Sequence, residues 1–324
     1  MAPAKNSSVD CSTAVVIHGM DDNSVNEFAF ANLPKNKCAL TNNATQDPVV
    51  MHRDLSDWWP PSLRDMLDNR LNNMMIVDRE QRDRYYGKLT TQGIVLALSG
   101  GLDSTTVLHW CLRVFGRVHC VVFNYQQRHQ IEVDTALKYV DSLMEQEEYQ
   151  GRIKITKVDM SPINFLAPSA LTRDDIDVPA SRSIDEMGTD IPSTFVPGRN
   201  VYFTTALAQV AYTEGWRHVA LGANVLDYSG YPDCRPEFFD AMRTALRIGI
   251  FNGVDVGMHM PLMQLDKRQI IRLGDYLGVD YANTHSCYNN VPGGCGTCDS
   301  CLLRREAFRK CGREDPAITL HQST

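Results

Sequence analysis

The chain has 324 residues, a formal net charge of −7 at pH 7 and an apolar fraction of 43%. This composition is typical of a globular protein, and the acidic balance argues against a large nucleic-acid footprint. No stretch approaches the ~20 consecutive apolar residues of a membrane span, and the N-terminus carries no apolar signal core. We therefore expect a cytoplasmic protein that binds neither nucleic acid nor membranes directly.

The first ninety residues carry no pattern that points to chemistry. Residues 36–47 are polar and rich in Asn, and a Trp-Trp-Pro-Pro run at residues 58–61 precedes a charged segment. No metal-binding cluster, glycine loop or nucleophile stands out in this part of the sequence. We interpret it as an N-terminal extension with a role in packing or oligomerisation.

Residues 93–106 are the most informative stretch of the sequence. The apolar run at residues 93–98 predicts a strand that is buried on both faces of a sheet. A Ser-Gly-Gly turn follows at residues 99–101, where the absent Cβ atoms let backbone N–H groups approach an anion. Residues 103–106 (Asp-Ser-Thr-Thr) then open a helix with capping side chains and a positive end. The stretch predicts a phosphate-binding loop, although it lacks the lysine of a GxxxxGK[ST] loop. We call residues 99–104 the phosphate loop.

Strands and amphipathic helices alternate over residues 93–285. Further strands are predicted at residues 117–125, 154–160 and 218–224. Further helices are predicted at residues 129–147, 200–214, 235–249 and 266–277. This alternation predicts an α/β fold of the Rossmann-like type, with a doubly wound, mostly parallel sheet. Ligands of such folds bind at the carboxyl ends of the strands, which is where the phosphate loop lies.

Four of the ten cysteines cluster near the C-terminus, at Cys287, Cys295, Cys298 and Cys301. Two overlapping CxxC steps and one upstream cysteine supply four thiolates, the tetrahedral set for Zn²⁺. An iron–sulfur cluster uses the same ligands and stays open as an alternative. Because four thiolates leave no position for water, we interpret the site as structural. The other six cysteines are scattered, as in a reducing cytosol.

Several blocks of the sequence carry a family resemblance. They are residues 98–106, 125–129 (Tyr-Gln-Gln-Arg-His), 169–172, 196–200, 227–238, 286–288 and 295–301, followed by Arg304 and Asp315-Pro316. Together they resemble the QueC family of 7-cyano-7-deazaguanine synthases, within the PP-loop ATP pyrophosphatase superfamily. The resemblance covers about residues 93–317. One departure is Gln126, where the family has glycine; a glutamine with positive φ would strain this turn by about 1 kcal/mol.

The resemblance implies a reaction in queuosine-type nucleoside biosynthesis. It implies that 7-carboxy-7-deazaguanine and ammonia become the 7-cyano base through an adenylated acid and an adenylated amide, with ATP, Mg²⁺ and Zn²⁺. We also expect a homodimer. Three alternatives remain open: an enzyme that joins the activated acid to a protein amine, a PP-loop enzyme that modifies tRNA, and a nucleotide-binding module without catalysis.

Candidate site residues follow from the same resemblance. The implied catalytic residues are Asp103, Ser104 and Arg199. The implied ATP-binding residues are Leu98, Ser99, Gly100, Gly101, Leu102, Asp103, Ser104, Thr105 and Thr106, with Asp103 also a contact for Mg²⁺. Arg128 and Arg199 are candidates for pairing with a phosphate or carboxylate, or else they form structural ion pairs. Asp227 or Asp233 would accept the N–H edge of the base, and Tyr228 or Tyr231 would stack on it.

These observations divide the chain into three parts. The extension covers residues 1–90, an ATP-binding synthase domain covers 91–285, and a helical zinc-binding region covers 286–324. Residues 167–194 are rich in Ser, Thr, Asp and Pro and show little periodicity. A loop of this length is commonly a lid. We expect it to order when ATP binds.

Overall fold

Five parallel strands form the centre of the protein. The computed structural model describes residues 89, 91–128, 130–161, 168–183, 187, 191–224 and 230–318. The strands are β1 (Gly93–Ala97), β2 (Arg117–Asn124), β3 (Ile153–Asp159), β4 (His218–Ala220) and β5 (Gly257–His259). They lie in the order β3-β2-β1-β4-β5. Every pair is parallel, which confirms the predicted α/β fold.

Helices cover both faces of this sheet. They are α1 (Leu102–Val114), α2 (Ile131–Met144), α3 (Arg199–Thr213), α4 (Pro236–Gly249), α5 (Lys267–Leu277) and α6 (Asp299–Lys310). Alternate residues of a strand point to opposite faces. Accordingly, Ile94 and Leu96 belong to the core under α1, α2, α5 and α6. Val95 belongs to a second core under α3 and α4. No helix in the described ranges is both long and apolar enough to cross a bilayer.

The order of the strands places a crevice between β1 and β4. The chain leaves β1 toward β2 on one side, while β4 pairs with β1 on the other. The carboxyl ends of these two strands form the topological switch point of the sheet, the usual ligand site of this fold. Gly222, which follows β4, lets the strand end come close to α1. A Cβ atom at this position would lie only 3.1 Å from the backbone nitrogen of Ser104.

Gln126 occupies the left-handed region of backbone space, with φ +54°. Side chains of its neighbours hold the turn in this conformation. The backbone N–H of Tyr125 donates to Gln127 Oε1 at 3.0 Å, and the N–H of Gln126 donates to Asn124 Oδ1 at 3.2 Å. The positive φ that would strain a glutamine is therefore present.

This strain predicts a difference between two truncations of Gln126. Gln126→Gly should be more stable than Gln126→Ala by about 1 kcal/mol in free energy of unfolding. Both changes remove the same polar side chain, but only alanine keeps the Cβ atom that the left-handed region disfavours. The greater freedom of glycine in the unfolded chain offsets part of the difference. Urea unfolding of both variants measures it, and equal stabilities would contradict a strained turn.

Candidate active site

The phosphate loop connects β1 to α1 by a turn that only glycine can form. Gly100 has φ +87°, and a Cβ atom on it would lie 2.6 Å from the carbonyl oxygen of Glu132. The backbone N–H of His285 donates to the carbonyl of Gly100 at 2.9 Å. The turn is thus packed between α2 and the segment that precedes Cys287.

Helix α1 begins without the side-chain cap that the sequence predicts. Its N-cap residue is Gly101, which has no side chain that could accept a hydrogen bond from the first turn. Instead, the side chain of Ser104 turns back onto the loop. Its hydroxyl accepts from the N–H of Ser99 at 3.1 Å and lies 3.0 Å from Ser99 Oγ. Both serines line the cavity at the start of α1, where the positive end of a helix attracts an anion.

A lysine from elsewhere in the sequence completes this loop. Lys267, the first residue of α5, forms a salt bridge with Asp103 Oδ2, and both residues line the cavity. The other carboxylate oxygen, Oδ1, is buried and has no hydrogen-bond partner among the described residues. Sequence reasoning missed Lys267 because 164 positions separate the pair. A capping box between Asp266 and Gln269 marks the start of α5, and this local pattern could have placed Lys267 in the first turn of that helix.

Thr105 and Thr106 differ from the expectation that they hold ATP. Both are fully buried, and neither lines the cavity. The hydroxyl of Thr106 donates to the carbonyl of Leu102 at 2.8 Å and lies 2.9 Å from Tyr281 Oη. Its position connects α1 to the segment after α5, which is a structural role.

Arg199 lies in the cavity wall at the first turn of α3. Its Nη1 donates to the hydroxyl of Tyr125 at 3.4 Å, and its guanidinium lies 5.8 Å from the ring centre of Tyr231. Burial opposes the charge, but nearby groups, Asp233 among them, outweigh it and hold the pKa of Arg199 above its ordinary value. The Nε atom is buried without a partner among the described residues. The guanidinium is therefore charged and is placed to receive an anion.

Two candidate residues have structural contacts instead of cavity positions. Asp233 Oδ2 accepts from the backbone N–H of Asn200 at 3.2 Å, and Asp233 does not line the cavity. Arg128 donates through Nη2 to the carbonyls of Arg173 and Ile176, at 2.8 and 3.2 Å. It also lies outside the cavity wall. Its Nε lies 3.3 Å from Asp174 Oδ1, an ion pair of the kind that the structural alternative expects.

The two candidate tyrosines have different outcomes. Tyr231 lines the cavity, with its hydroxyl 2.8 Å from Thr194 Oγ1. Tyr228 and the acid candidate Asp227 lie outside the described residues.

The cavity at the switch point has a volume of about 300 Å³. The loop residues Leu98, Ser99, Gly101 and Leu102 form part of its wall. Its charged lining residues are Arg182, Arg199, Lys267 and Arg304 together with Asp103, Glu132 and Asp299. Three of the four cations pair with a carboxylate: Arg182 with Asp299, Lys267 with Asp103, and Arg304 with Asp315. The fourth, Arg199, forms no salt bridge with a described residue, and its charge favours an anionic ligand.

The four clustered cysteines, which we call the metal knot, converge as the spacing predicts. The Sγ atoms of Cys287, Cys295, Cys298 and Cys301 all lie within 4.8 Å of one another. The backbone N–H of Cys295 donates to Cys287 Sγ, and that of Cys298 donates to Cys295 Sγ, both at 3.3 Å. Such N–H···S contacts stabilise thiolates. Four sulfurs in one place, with amide donors behind them, fit a tetrahedral metal ion such as zinc.

Removing one sulfur should empty the metal knot. We expect Cys298→Ser to lose bound zinc and to make the C-terminal region sensitive to protease, because three thiolates leave the ligand set incomplete. Zinc content by mass spectrometry and limited trypsin digestion measure both effects. Cys311→Ser, which changes a cysteine outside the knot, is the matched control. Wild-type zinc content and protease resistance in Cys298→Ser would refute the assignment.

Comparison with known proteins agrees with this site. The family model described as "Queuosine biosynthesis protein QueC" matches residues 93–312. A 7-cyano-7-deazaguanine synthase of Thermoplasma acidophilum is 46% identical over 225 residues, covering 68% of this chain and 90% of that protein. Those of Solidesulfovibrio magneticus and Picrophilus torridus are 42% and 44% identical. They cover 69% and 68% of this chain, and 94% and 89% of their own lengths. The chain therefore belongs to the QueC family.

Proposed function

We propose that this chain converts 7-carboxy-7-deazaguanine and ammonia into 7-cyano-7-deazaguanine at the expense of ATP. The observation that carries the proposal is the shared cavity of the phosphate loop and Arg199. A triphosphate held by the loop and a carboxylate paired with Arg199 would meet there. The membership of the QueC family supplies the substrate class.

The first half of the proposed reaction makes the carboxylate reactive. A carboxylate is a poor electrophile, because resonance and its negative charge both oppose a nucleophile. Its oxygen attacks the α-phosphorus of ATP, and pyrophosphate leaves. Ammonia then attacks the carbonyl carbon, AMP leaves with the C–O electron pair, and loss of a proton gives the amide.

The second half removes the amide oxygen. This oxygen attacks the α-phosphorus of a second ATP, and pyrophosphate leaves again. Loss of AMP and of both N–H protons then forms the nitrile. Each half breaks the same kind of phosphorus–oxygen bond, so one phosphate loop serves both.

We assign each charged part of the reactants to different residues of the cavity. We assign the β- and γ-phosphates to Ser99, Gly101, Ser104, the start of α1 and Lys267, whose charge would stabilise the departing pyrophosphate. Mg²⁺ supplies further positive charge when bound, and Asp103 Oδ1 is the oxygen we assign to it. Arg199 would orient the carboxylate, for which a planar guanidinium suits best.

Three further features belong to the same proposal. We propose zinc as the ion of the metal knot, where four thiolates would order the C-terminal region without a catalytic step. Closure of residues 167–194 over ATP and assembly as a homodimer also stay predictions. Hydrogen exchange with and without ATP tests the closure of residues 167–194, and light scattering tests the homodimer.

The direct test uses the full chain with ATP, MgCl₂, an ammonium salt and 7-carboxy-7-deazaguanine. Mass spectrometry should detect the nitrile, with two AMP released for each. A reaction without ammonium should yield no amide or nitrile. If folded, zinc-loaded protein forms neither amide nor nitrile, the proposal is wrong. A mass increase on an added protein instead of the free nitrile would indicate the conjugating alternative.

A further inference from the structure

A short segment of the long loop is fastened to the metal knot. We call residues 178–183 the strap. Ala180 forms an antiparallel bridge with Cys298, and the N–H of Ser181 donates to the carbonyl of Thr297 at 2.8 Å. Arg182 then pairs with Asp299 through two hydrogen bonds, one of them from Nε to Oδ1 at 3.2 Å. Three consecutive strap residues thus pair with three consecutive residues centred on Cys298, which both CxxC steps share.

This pairing places an arginine and a carboxylate side by side in the cavity wall. Both Arg182 and Asp299 line the cavity, and their side chains are only 29% and 13% exposed. Asp299 is the first residue of α6 and directly follows a cysteine of the knot. Contacts from the strap and the start of α6 therefore position the pair in the cavity wall.

The other two carboxylates of the described cavity wall, Asp103 and Glu132, lie at the phosphate loop. Asp103 is paired with Lys267. Glu132 lies over the glycine turn, where its Oε1 would be 3.3 Å from a Cβ atom on Gly101. A phosphate-binding loop is a poor place to recognise a neutral heterocycle. Among the described cavity carboxylates, Asp299 is the one that belongs to α6, outside the phosphate loop and α2.

The chemistry of the proposed substrate matches such a pair. The pyrimidinone edge of 7-deazaguanine presents a carbonyl acceptor, a ring N–H donor and an amino donor in one line. A carboxylate has about four acceptor sites, of which Arg182 occupies two, and a guanidinium donates along a planar edge. We propose that one oxygen of Asp299 accepts from both the ring N–H and the amino group at its outer site, while the neighbouring outer N–H of Arg182 donates to the carbonyl. The pair would then determine specificity for the base, a role that rests on the proposed function.

The test compares two substrates with one variant. The second substrate is the analogue of 7-carboxy-7-deazaguanine that lacks the 2-amino group. Without the amino group, a partly buried charged acceptor loses one hydrogen-bond donor, so the wild type should prefer the amino substrate by about 10- to 100-fold in kcat/KM. Asp299→Asn replaces an acceptor oxygen by an NH₂ donor. It should raise KM for the amino substrate and bring the two kcat/KM values within about threefold.

Controls separate recognition from folding. Arg173→Ala removes a guanidinium from the same loop that is exposed, pairs with Asp175 and lies outside the cavity wall. It should keep the wild-type preference. Zinc content and hydrogen exchange of the strap show whether Asp299→Asn keeps the knot intact. If it does not, Arg182→Gln, which leaves the knot residues unchanged, should reduce the same preference.

Each outcome is decisive for one proposal. If either variant has normal zinc content and the wild-type preference, the inference is wrong while nitrile formation by the wild type keeps the proposed function. If the wild type forms no amide or nitrile, the proposed function fails. Calorimetry can then measure how tightly 7-carboxy-7-deazaguanine and its analogue without the amino group bind. This tests the Arg182–Asp299 pair without catalysis. If wild type and Asp299→Asn bind 7-carboxy-7-deazaguanine with equal affinity, the inference is wrong.

Discussion

Asp315→Ala should lower the free energy of unfolding by about 3–5 kcal/mol, the range for breaking a buried ion pair from one side. The Asp315 carboxylate accepts two hydrogen bonds from Arg304, one from Nε at 2.6 Å and one from Nη2 at 2.9 Å. The two side chains are 4% and 5% exposed. Without the carboxylate, a guanidinium stays buried with its charge uncompensated.

Further contacts of Arg304 make relaxation difficult. Its Nη1 donates to Thr284 Oγ1 at 2.8 Å, and its Nη2 donates to the carbonyl of Tyr281 at 2.9 Å. The guanidinium therefore cannot move to solvent without breaking α6 away from its neighbours. Urea unfolding measures the loss. Glu306→Ala, which removes the partly exposed i,i+3 partner of the exposed Arg309, should cost less than about 0.5 kcal/mol. A loss as small in Asp315→Ala would contradict the buried-pair argument.

Asp103→Asn should reduce kcat/KM by about 10²- to 10³-fold, comparable to the removal of one preorganised electrostatic contact from an active site. The change keeps the size of the side chain but removes the charge that faces Lys267 and that we assign to Mg²⁺. The unfolding free energy should change by no more than about 1 kcal/mol, because the pair is partly exposed. Steady-state pyrophosphate release and urea unfolding measure the two quantities.

A neighbouring helix offers the matched control for this substitution. Asp134→Asn makes the same chemical change in the first turn of α2, at an exposed residue outside the cavity wall. Its kcat/KM should stay within about twofold of the wild type, since an exposed charge is screened by solvent. A near-normal rate in Asp103→Asn would show that the carboxylate does not act in the reaction.

Local features of this fold were predictable from the sequence. The run that became β1 is apolar throughout, and Gly100 after it is required by its positive φ and by its close approach to Glu132. The paired CxxC steps bring sulfurs together over fifteen residues, from 287 to 301. In each case the sequence pattern and the structure that it predicts lie within the same short segment of the chain. Strand β5 was missed because its three residues, Gly257–His259, include a single apolar side chain, whereas the equally short β4 begins a longer, mostly apolar run at residues 218–224.

Long-range pairing could not be predicted in the same way. Asp233 and Arg128 have the chemistry of ligand-binding residues, but residue type does not give the direction of a side chain. Both satisfy backbone groups in loops and helix ends, which buried polar groups require. Conversely, Lys267 and Asp299 reach the cavity only through tertiary contacts, and nothing near them in sequence marks their partners.

The segment before Cys287 connects the phosphate loop to the metal knot. The N–H of His285 donates to Gly100, and the N–H of Leu102 donates to Ser286 Oγ. Two consecutive residues thus hold both ends of the glycine turn, and the next residue is a cysteine of the metal knot. A nucleotide and a metal bound at the two proposed sites would stabilise the same short stretch of backbone, so their binding free energies would be linked. By reciprocity, whatever factor the metal contributes to nucleotide affinity, the nucleotide returns to metal affinity.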